Sequence, residues 1–342
     1  MHHGIGQALL NPPVVRFERR AMGSPLRLSL VGVDGPQAAA AWERVSDAIE
    51  DLEQVLSRFR PSADLVALNG RAGDPACMPV HPRLYDALAT AERAWRRTGG
   101  AFDPRVLGDL ERLGYRGAAS PAPAARAHGT AGSIRVPAPG ARIRAAFPDG
   151  RWLHRDPASR SVAVAAPVDL GGIGKGLALR WAFAALGDAV PGLARGAAGA
   201  LLEAGGDLVA RGTAPQAGPW LIGIESPLAN AEIAVVELAA GAVCTSSIGV
   251  HAWTAADGRS VHHLLDPRTG EPGGEGLVSV TVAGPDPAWA EVWSKTLFLD
   301  GRRGIGPRAR ALGLAAWWIR DDGALEMTPA GRVRTAWSAG GA

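Results

Sequence analysis

Leu202-Glu203-Ala204-Gly205-Gly206-Asp207-Leu208 reads as a strand, a Gly-Gly break and a second strand. Taken alone it is an ordinary turn or bulge, because glycine accepts the backbone angles that reverse a chain. Its surroundings repeat the pattern. Short strand-like stretches occur at Ser161 to Val164, Leu201 to Val209, Trp220 to Ile224, Ile233 to Leu238 and Val278 to Val282, several close enough for hairpins. Between residues 14 and 31, Val15, Phe17, Leu26, Leu28 and Leu30 recur at period two on either side of Met22-Gly23-Ser24-Pro25, which predicts another hairpin. Helical spacing is confined to fewer segments. Trp42, Val45, Ile49, Leu52 and Leu56 mark an amphipathic helix ending near Arg58, and Leu84, Leu88, Ala91 and Trp95 mark a second that stops at Thr98-Gly99-Gly100. Two more are expected near 175 to 187 and 287 to 300. Strands outnumber helices without alternating regularly with them, so the expectation is an α+β architecture rather than a parallel α/β sheet.

The chain has 342 residues, enough for one large domain or two modest ones with a core of their own. Its 36 basic and 33 acidic residues leave +3, and no basic run exceeds pairs such as Arg19-Arg20 and Arg302-Arg303, which argues against nucleic acid as a partner. Cys77 and Cys244 have no CxxC spacing, so neither a zinc site nor a dithiol redox centre is indicated. No apolar run approaches the roughly 18 residues of a membrane span. From Gly117 to Gly150 the composition shifts to Ala, Pro, Gly and Arg, which suggests a loop-rich excursion without chemistry. Lysine occurs only at Lys175 and Lys295; the other basic residues are arginine. An ammonium is a compact charge and a guanidinium a broad fork, so a lysine kept in so arginine-rich a chain marks a site too tight for arginine.

Asp169-Leu170-Gly171-Gly172-Ile173-Gly174-Lys175-Gly176 follows an apolar stretch and opens a helix. Such a turn lets backbone amides approach a phosphate, although it is neither a P-loop, which needs Ser or Thr where Gly176 stands, nor the G-x-G-x-x-G of a Rossmann unit. His262-His263-Leu264-Leu265-Asp266-Pro267-Arg268-Thr269-Gly270 is good turn chemistry, with His263 three residues from Asp266, as a base oriented by a carboxylate would be. Glu291, Ser294 and Lys295 stand at i, i+3 and i+4 of a helical stretch; the plain reading is a solvated ion pair worth about 0.2–0.5 kcal/mol.

The order of these motifs is more specific than any one of them. Met22-Gly23-Ser24, Ser57-Arg58-Phe59 with Ser62 to Asn69, Thr98 to Pro104, Asp169 to Gly176, Gly205-Gly206-Asp207, Thr245-Ser246 and His263 to Gly270 together resemble the ApbE family, the FAD:protein FMN transferases. The resemblance runs from about residue 14 to 316, leaving a tail at 1–13 and a C-terminal segment at 317–342. It implies mixed, largely antiparallel sheets flanked by helices, with an FAD cleft between two subdomains. It implies transfer of FMN from FAD, with magnesium, to a Thr or Ser hydroxyl of a target protein such as a redox-complex subunit or an FMN-binding-domain protein, releasing AMP. The alternatives are an FAD pyrophosphatase giving FMN and AMP, and a non-catalytic FAD-binding protein.

By position, the family's flavin contacts correspond to Met22, Phe59, Ala101, Phe102, Asp103, Asp169, Lys175 and Leu264. Gly205, Gly206 and Asp207 match a nucleotide-side motif, and Asn69 a position that influences acceptor choice. His263 falls at the base, with Asp266 and Lys175 as further catalytic positions. The metal positions correspond to the Gly172 carbonyl with Glu291, Ser294 and Lys295. Here the chain departs from many members of the family, which have Asp and Thr where Glu291 and Lys295 stand; glutamate can still bind magnesium through oxygen, but an ammonium has no lone pair for a cation. The substitutions resemble an actinobacterial-type branch, and they suggest that the Lys295 ammonium shares or replaces the role of the metal at the diphosphate. Arg180 also stands where Asp is usual. Neither a leader nor a lipobox cysteine is read near the start, so the expected compartment is the cytoplasm.

Overall fold

Met22 and Gly23 both have positive φ, 49° and 72°, the pair of angles that a two-residue hairpin turn of the primed type requires. Around that turn strands Val14–Ala21 (β1) and Ser24–Val31 (β2) pair antiparallel, from Ala21 opposite Ser24 out to Val14 opposite Val31. The computed structural model describes residues 12–117, 144–249 and 251–339; residues 1–11 of the expected tail and 118–143 of the expected excursion lie outside them.

The hairpin begins an eight-stranded sheet continued by Gly199–Ala204 (β3), Asp207–Gly212 (β4), Gly241–Ser247 (β5), Leu277–Gly284 (β6), Ala315–Arg320 (β7) and Leu325–Met327 (β8). Spatial order equals chain order, and every neighbouring pair is antiparallel. The main helices are Gly35–Leu56 (α1), Pro82–Arg97 (α2), Gly174–Ala189 (α3), Pro287–Leu299 (α4) and Gly301–Ala311 (α5). The α+β architecture with largely antiparallel sheets is therefore as expected.

Side-chain alternation decides what each face carries. Leu26, Leu28 and Leu30 of β2, with Ala200 and Leu202 of β3, bury against Val45, Ile49 and Leu52 of α1 and Leu179 and Leu186 of α3. The intervening positions of β4 to β7, among them Leu208, Val243 and Trp317, bury against a small sheet of Trp220–Ser226, Ala231–Leu238 and Thr335–Ser338. Helices thus cover one face of the large sheet and a second sheet the other. A further core joins α2 to the strands Leu153–Asp156 and Ser161–Val164 and to the glycine turn, through Leu84, Leu88, Phe102, Val164 and Ile173.

Three elements have no clear signature in the sequence. β7, Ala-Ala-Trp-Trp-Ile-Arg, is buried on both faces and so does not alternate. β5 ends in Thr245-Ser246-Ser247, and α5 contains Gly304, Gly306 and Pro307, all poor helix formers. β7 also runs through residue 316, so the segment expected to follow the domain continues the main sheet and then adds Thr335–Ser338 to the small one.

Candidate active site

The Asp169–Gly176 turn delivers Lys175 to the start of α3, and its amides are largely spent inside the protein. The Gly171 N–H donates to Asp169 Oδ1 at 2.5 Å, and those of Ile173 and Gly174 to the Leu170 carbonyl at 3.0 and 2.7 Å. The Gly176 N–H donates to Glu291 Oε2 at 2.7 Å. Four of the amides that the glycines led one to expect at a phosphate are thus occupied within a turn braced with carboxylates. Gly176 is required for a different reason: a Cβ there would lie 2.5 Å from the Pro287 carbonyl oxygen, so only glycine lets α3 meet the start of α4 this closely.

Two lysine–carboxylate pairs stand on this frame. Lys175 Nζ pairs with Asp207, whose other oxygen accepts the Thr245 N–H at 2.9 Å. Asp207 is held there by the turn at Gly205 and Gly206, with φ of 61° and 90°, between β3 and β4. Burial opposes the charge on Lys175, but the carboxylates of Asp207 and Glu291 outweigh it and raise its pKa. Lys295 Nζ lies 3.1 Å from Glu291 Oε1, and its aliphatic stem packs beside Gly172. Glu291 is 1% exposed, so this is a buried pair and not the solvated one that spacing alone suggested.

His263 stands opposite. Its Nδ1 is 3.3 Å from the His251 carbonyl oxygen, which can only accept, so Nδ1 carries the proton and Nε2 keeps its lone pair. Burial first, then the charge of Lys295, lowers its pKa well below the ordinary histidine value. The expected orienting carboxylate is elsewhere: Asp266 accepts from the backbone N–H and side chain of Arg268 at 2.9 and 2.7 Å, closing its own turn. A carboxylate preceding Pro-x-Thr-Gly is taken by the turn, and the histidine is oriented by a carbonyl instead.

Lys175, Lys295, His263 and Leu264 all line one cleft with a volume of about 1610 Å³. Met22, Phe59, Ala101, Phe102 and Gly172 line it too, as do Gly205 and Gly206. Asp169 and Asp103 border it with their carboxylates engaged. Arg58 Nε lies 2.5 Å from Asp169 Oδ2, and Arg105 grips both oxygens of Asp103 at 2.9 and 2.6 Å. Asp207, Glu291, Ser294, Asp266 and Asn69 stand behind the lining. Asn69 both donates to and accepts from the backbone of Val168, each at 2.9 Å, and so fixes the segment that enters the glycine turn.

Arg58, Tyr115 and His251 also line the cleft and carried no separate expectation as site residues. The Arg58 guanidinium lies 4.2 Å over the Phe59 ring and 5.2 Å from that of Tyr115. The clustering of histidines between 251 and 263 was the available signal for His251. Arg180, where the family has Asp, binds Asp286 Oδ1 at 2.6 Å and ties α3 to the N-cap of α4.

The expected metal positions do not fit magnesium, which binds oxygen ligands in near-octahedral geometry. Both oxygens of Glu291 are committed. The Ser294 hydroxyl is fully buried between Ser246 Oγ at 2.8 Å and the Glu291 carbonyl at 3.0 Å. The third side chain is an ammonium. Among the described residues no cluster of three or more His, Cys, Asp or Glu could hold a metal.

The sequence pattern of the ApbE family matches residues 22–317. The chain belongs to the ApbE family. Among relatives of this ApbE-family chain, the FAD:protein FMN transferase of Salmonella typhimurium is 29% identical over 322 residues, which is 92% of this chain and 86% of that protein. The FAD:protein FMN transferase of Treponema pallidum is 29% identical over 287 residues, 77% and 72% of the two chains. The flavinyl transferase ApbE of Pseudomonas stutzeri, in its apo form, matches with a TM-score of 0.75 at 25% identity, over 97% of this chain and 100% of the other. The ApbE protein of Thermotoga maritima has the same fold, with a TM-score of 0.76 at 24% identity, over 94% and 99%. No described helix is long and apolar enough to cross a membrane.

Proposed function

We propose that this chain transfers FMN from FAD to a Thr or Ser hydroxyl of a target flavoprotein, releasing AMP. The observation that carries this reading is the convergence of two ammonium groups and a neutral imidazole on one cleft large enough for a dinucleotide. Diphosphate cleavage by a hydroxyl needs cations at the phosphate oxygens and a base at the nucleophile, and little else from the protein. Lys175, kept charged by Asp207, holds the diphosphate. Apolar surface at Met22 and at the Phe59 ring, which is 56% exposed, receives the flat parts of FAD. The acceptor oxygen bonds to the FMN phosphorus. The phosphoanhydride bond to AMP breaks, and its electron pair leaves on the AMP phosphate. The hydroxyl proton passes to His263 Nε2. The bound diphosphate, bringing negative charge near the imidazole, raises its pKa back toward neutrality when the proton is to be taken.

The test is one incubation of the purified chain with FAD and a redox-complex subunit or FMN-binding-domain protein, followed by intact mass and nucleotide analysis. An FMN-sized addition to the target with AMP in equal amount is expected. AMP with free FMN and an unmodified target would identify a pyrophosphatase, and intact bound FAD a binding protein.

A further inference from the structure

We infer that the Lys295 ammonium, held by Glu291 on the Gly176 amide, stands where a divalent metal would act on the diphosphate, so that this chain uses FAD without a metal ion. The inference rests on the transferase reading and adds to it the identity of the second cation.

The geometry is closed around the ammonium. Glu291 Oε2 accepts the Gly176 N–H and Oε1 faces Lys295 Nζ, so neither oxygen is left for a metal. A dication at this point would have to expel the ammonium and draw Glu291 away from Gly176, whose N–H sits in a buried hydrogen bond and would lose its acceptor. Ser294, one turn along from Glu291, has its buried hydroxyl engaged by Ser246 and by the Glu291 carbonyl. Lys295 alone of the three reaches the lining, with 16% of its side chain exposed. Its three N–H donors exceed what one carboxylate oxygen takes, which leaves donors for phosphate oxygens. Lys175 and Lys295 line the same cleft. Four of the turn amides are spent internally, so the two ammonium groups supply charge that the turn alone does not bring to a diphosphate.

During transfer Lys295 keeps its protons. It donates hydrogen bonds to the oxygens that gain charge as the phosphoanhydride bond breaks, and no co-reactant beyond FAD and the acceptor is consumed.

The experiment compares chelator-treated chain with and without added magnesium, reading FAD affinity by flavin fluorescence and, in the presence of the target protein that supplies the acceptor hydroxyl, AMP release by chromatography. Both are expected to agree within about twofold. Lys295→Met, which keeps the stem against Gly172, is expected to weaken FAD binding tenfold or more while riboflavin binding is unchanged and the circular dichroism melt shows a folded chain. The pair Glu291→Asp with Lys295→Thr is expected to make FAD binding depend on magnesium. Magnesium-dependent FAD binding by the native chain, or unchanged FAD affinity in Lys295→Met, overturns the inference. If FAD binds but no AMP is released in either condition, the transferase reading falls while the binding comparison still decides the role of Lys295. Failure to bind FAD in both conditions overturns the two together.

Discussion

The two walls of the cleft hold their polar groups by opposite means. On the lysine wall each ammonium faces a carboxylate whose second oxygen is anchored to a backbone N–H, Thr245 for Asp207 and Gly176 for Glu291. On the side of His263, among the described residues, no carboxylate bonds to the ring; His263 rests on a carbonyl, and burial lowers its pKa and that of the neighbouring His262. The difference shows how one cleft keeps fixed positive charge beside an uncharged base. Carboxylates secure the cations, and their withdrawal from the other side leaves the imidazole free of a proton. A carboxylate at the ring would have favoured the charged form.

The most severe way to break the lysine wall is Asp207→Ala. Removing one member of a buried pair leaves Lys175 and the Thr245 N–H without their acceptor, and we expect a loss of about 3 kcal/mol in stability, at the lower end for such pairs because Lys175 is 29% exposed. FAD affinity should fall more than tenfold; a denaturant midpoint and flavin titration unchanged from the native chain would show that Asp207 does not hold Lys175 as described.

The histidine wall predicts a pH effect of the opposite kind. The folded-state pKa of His262 is lowered to about 4 from 6.5, chiefly by burial, and that of His263 is also lowered well below its ordinary value, chiefly by burial. Protons bind the unfolded chain more readily, so stability is complete above pH 6.5 and is lost as pH falls toward 4. For His262 alone the loss approaches about 3 kcal/mol. Urea midpoints at pH 7.5 and 5 measure it, and His262→Gln should flatten the dependence; a midpoint indifferent to pH would contradict neutral burial.

The smallest effect belongs to Asp266→Asn. Its carboxylate serves Arg268 in an outlying turn, so about 1 kcal/mol of stability is at stake and AMP release should change less than threefold, with the same pH profile. A shift in the acid limb of that profile would restore Asp266 as the partner of His263.

These contrasts also mark what the residues disclosed in advance. The hairpin at Met22-Gly23, the Gly205-Gly206 turn, both long helices before residue 100 and the meeting of Lys175, Lys295 and His263 at one cleft were legible, because turn chemistry and apolar period are local properties, lysine is rare here and the order of motifs resembles a known family. Interactions across the chain were not. The Glu291 bond to Gly176 joins residues 115 apart, and the Asn69 clamp on Val168 joins residues 99 apart; neither leaves a pattern in one sequence. Asn69, expected at the acceptor side, braces the backbone of Val168, and Asp266, expected beside His263, bonds to Arg268, partnerships that spacing along the chain does not reveal.

The strand order carries a consequence for biosynthesis. Because spatial and chain order coincide, a growing polypeptide can lay each strand on the edge left by the one before, with β1 to β4 complete once residue 212 has emerged. Lys175 and Asp207 can therefore meet early, while Lys295 is still untranslated for another 83 residues after that point. A nascent chain owns half of its charge pattern long before the other half exists, and ligand capture has to wait for α4.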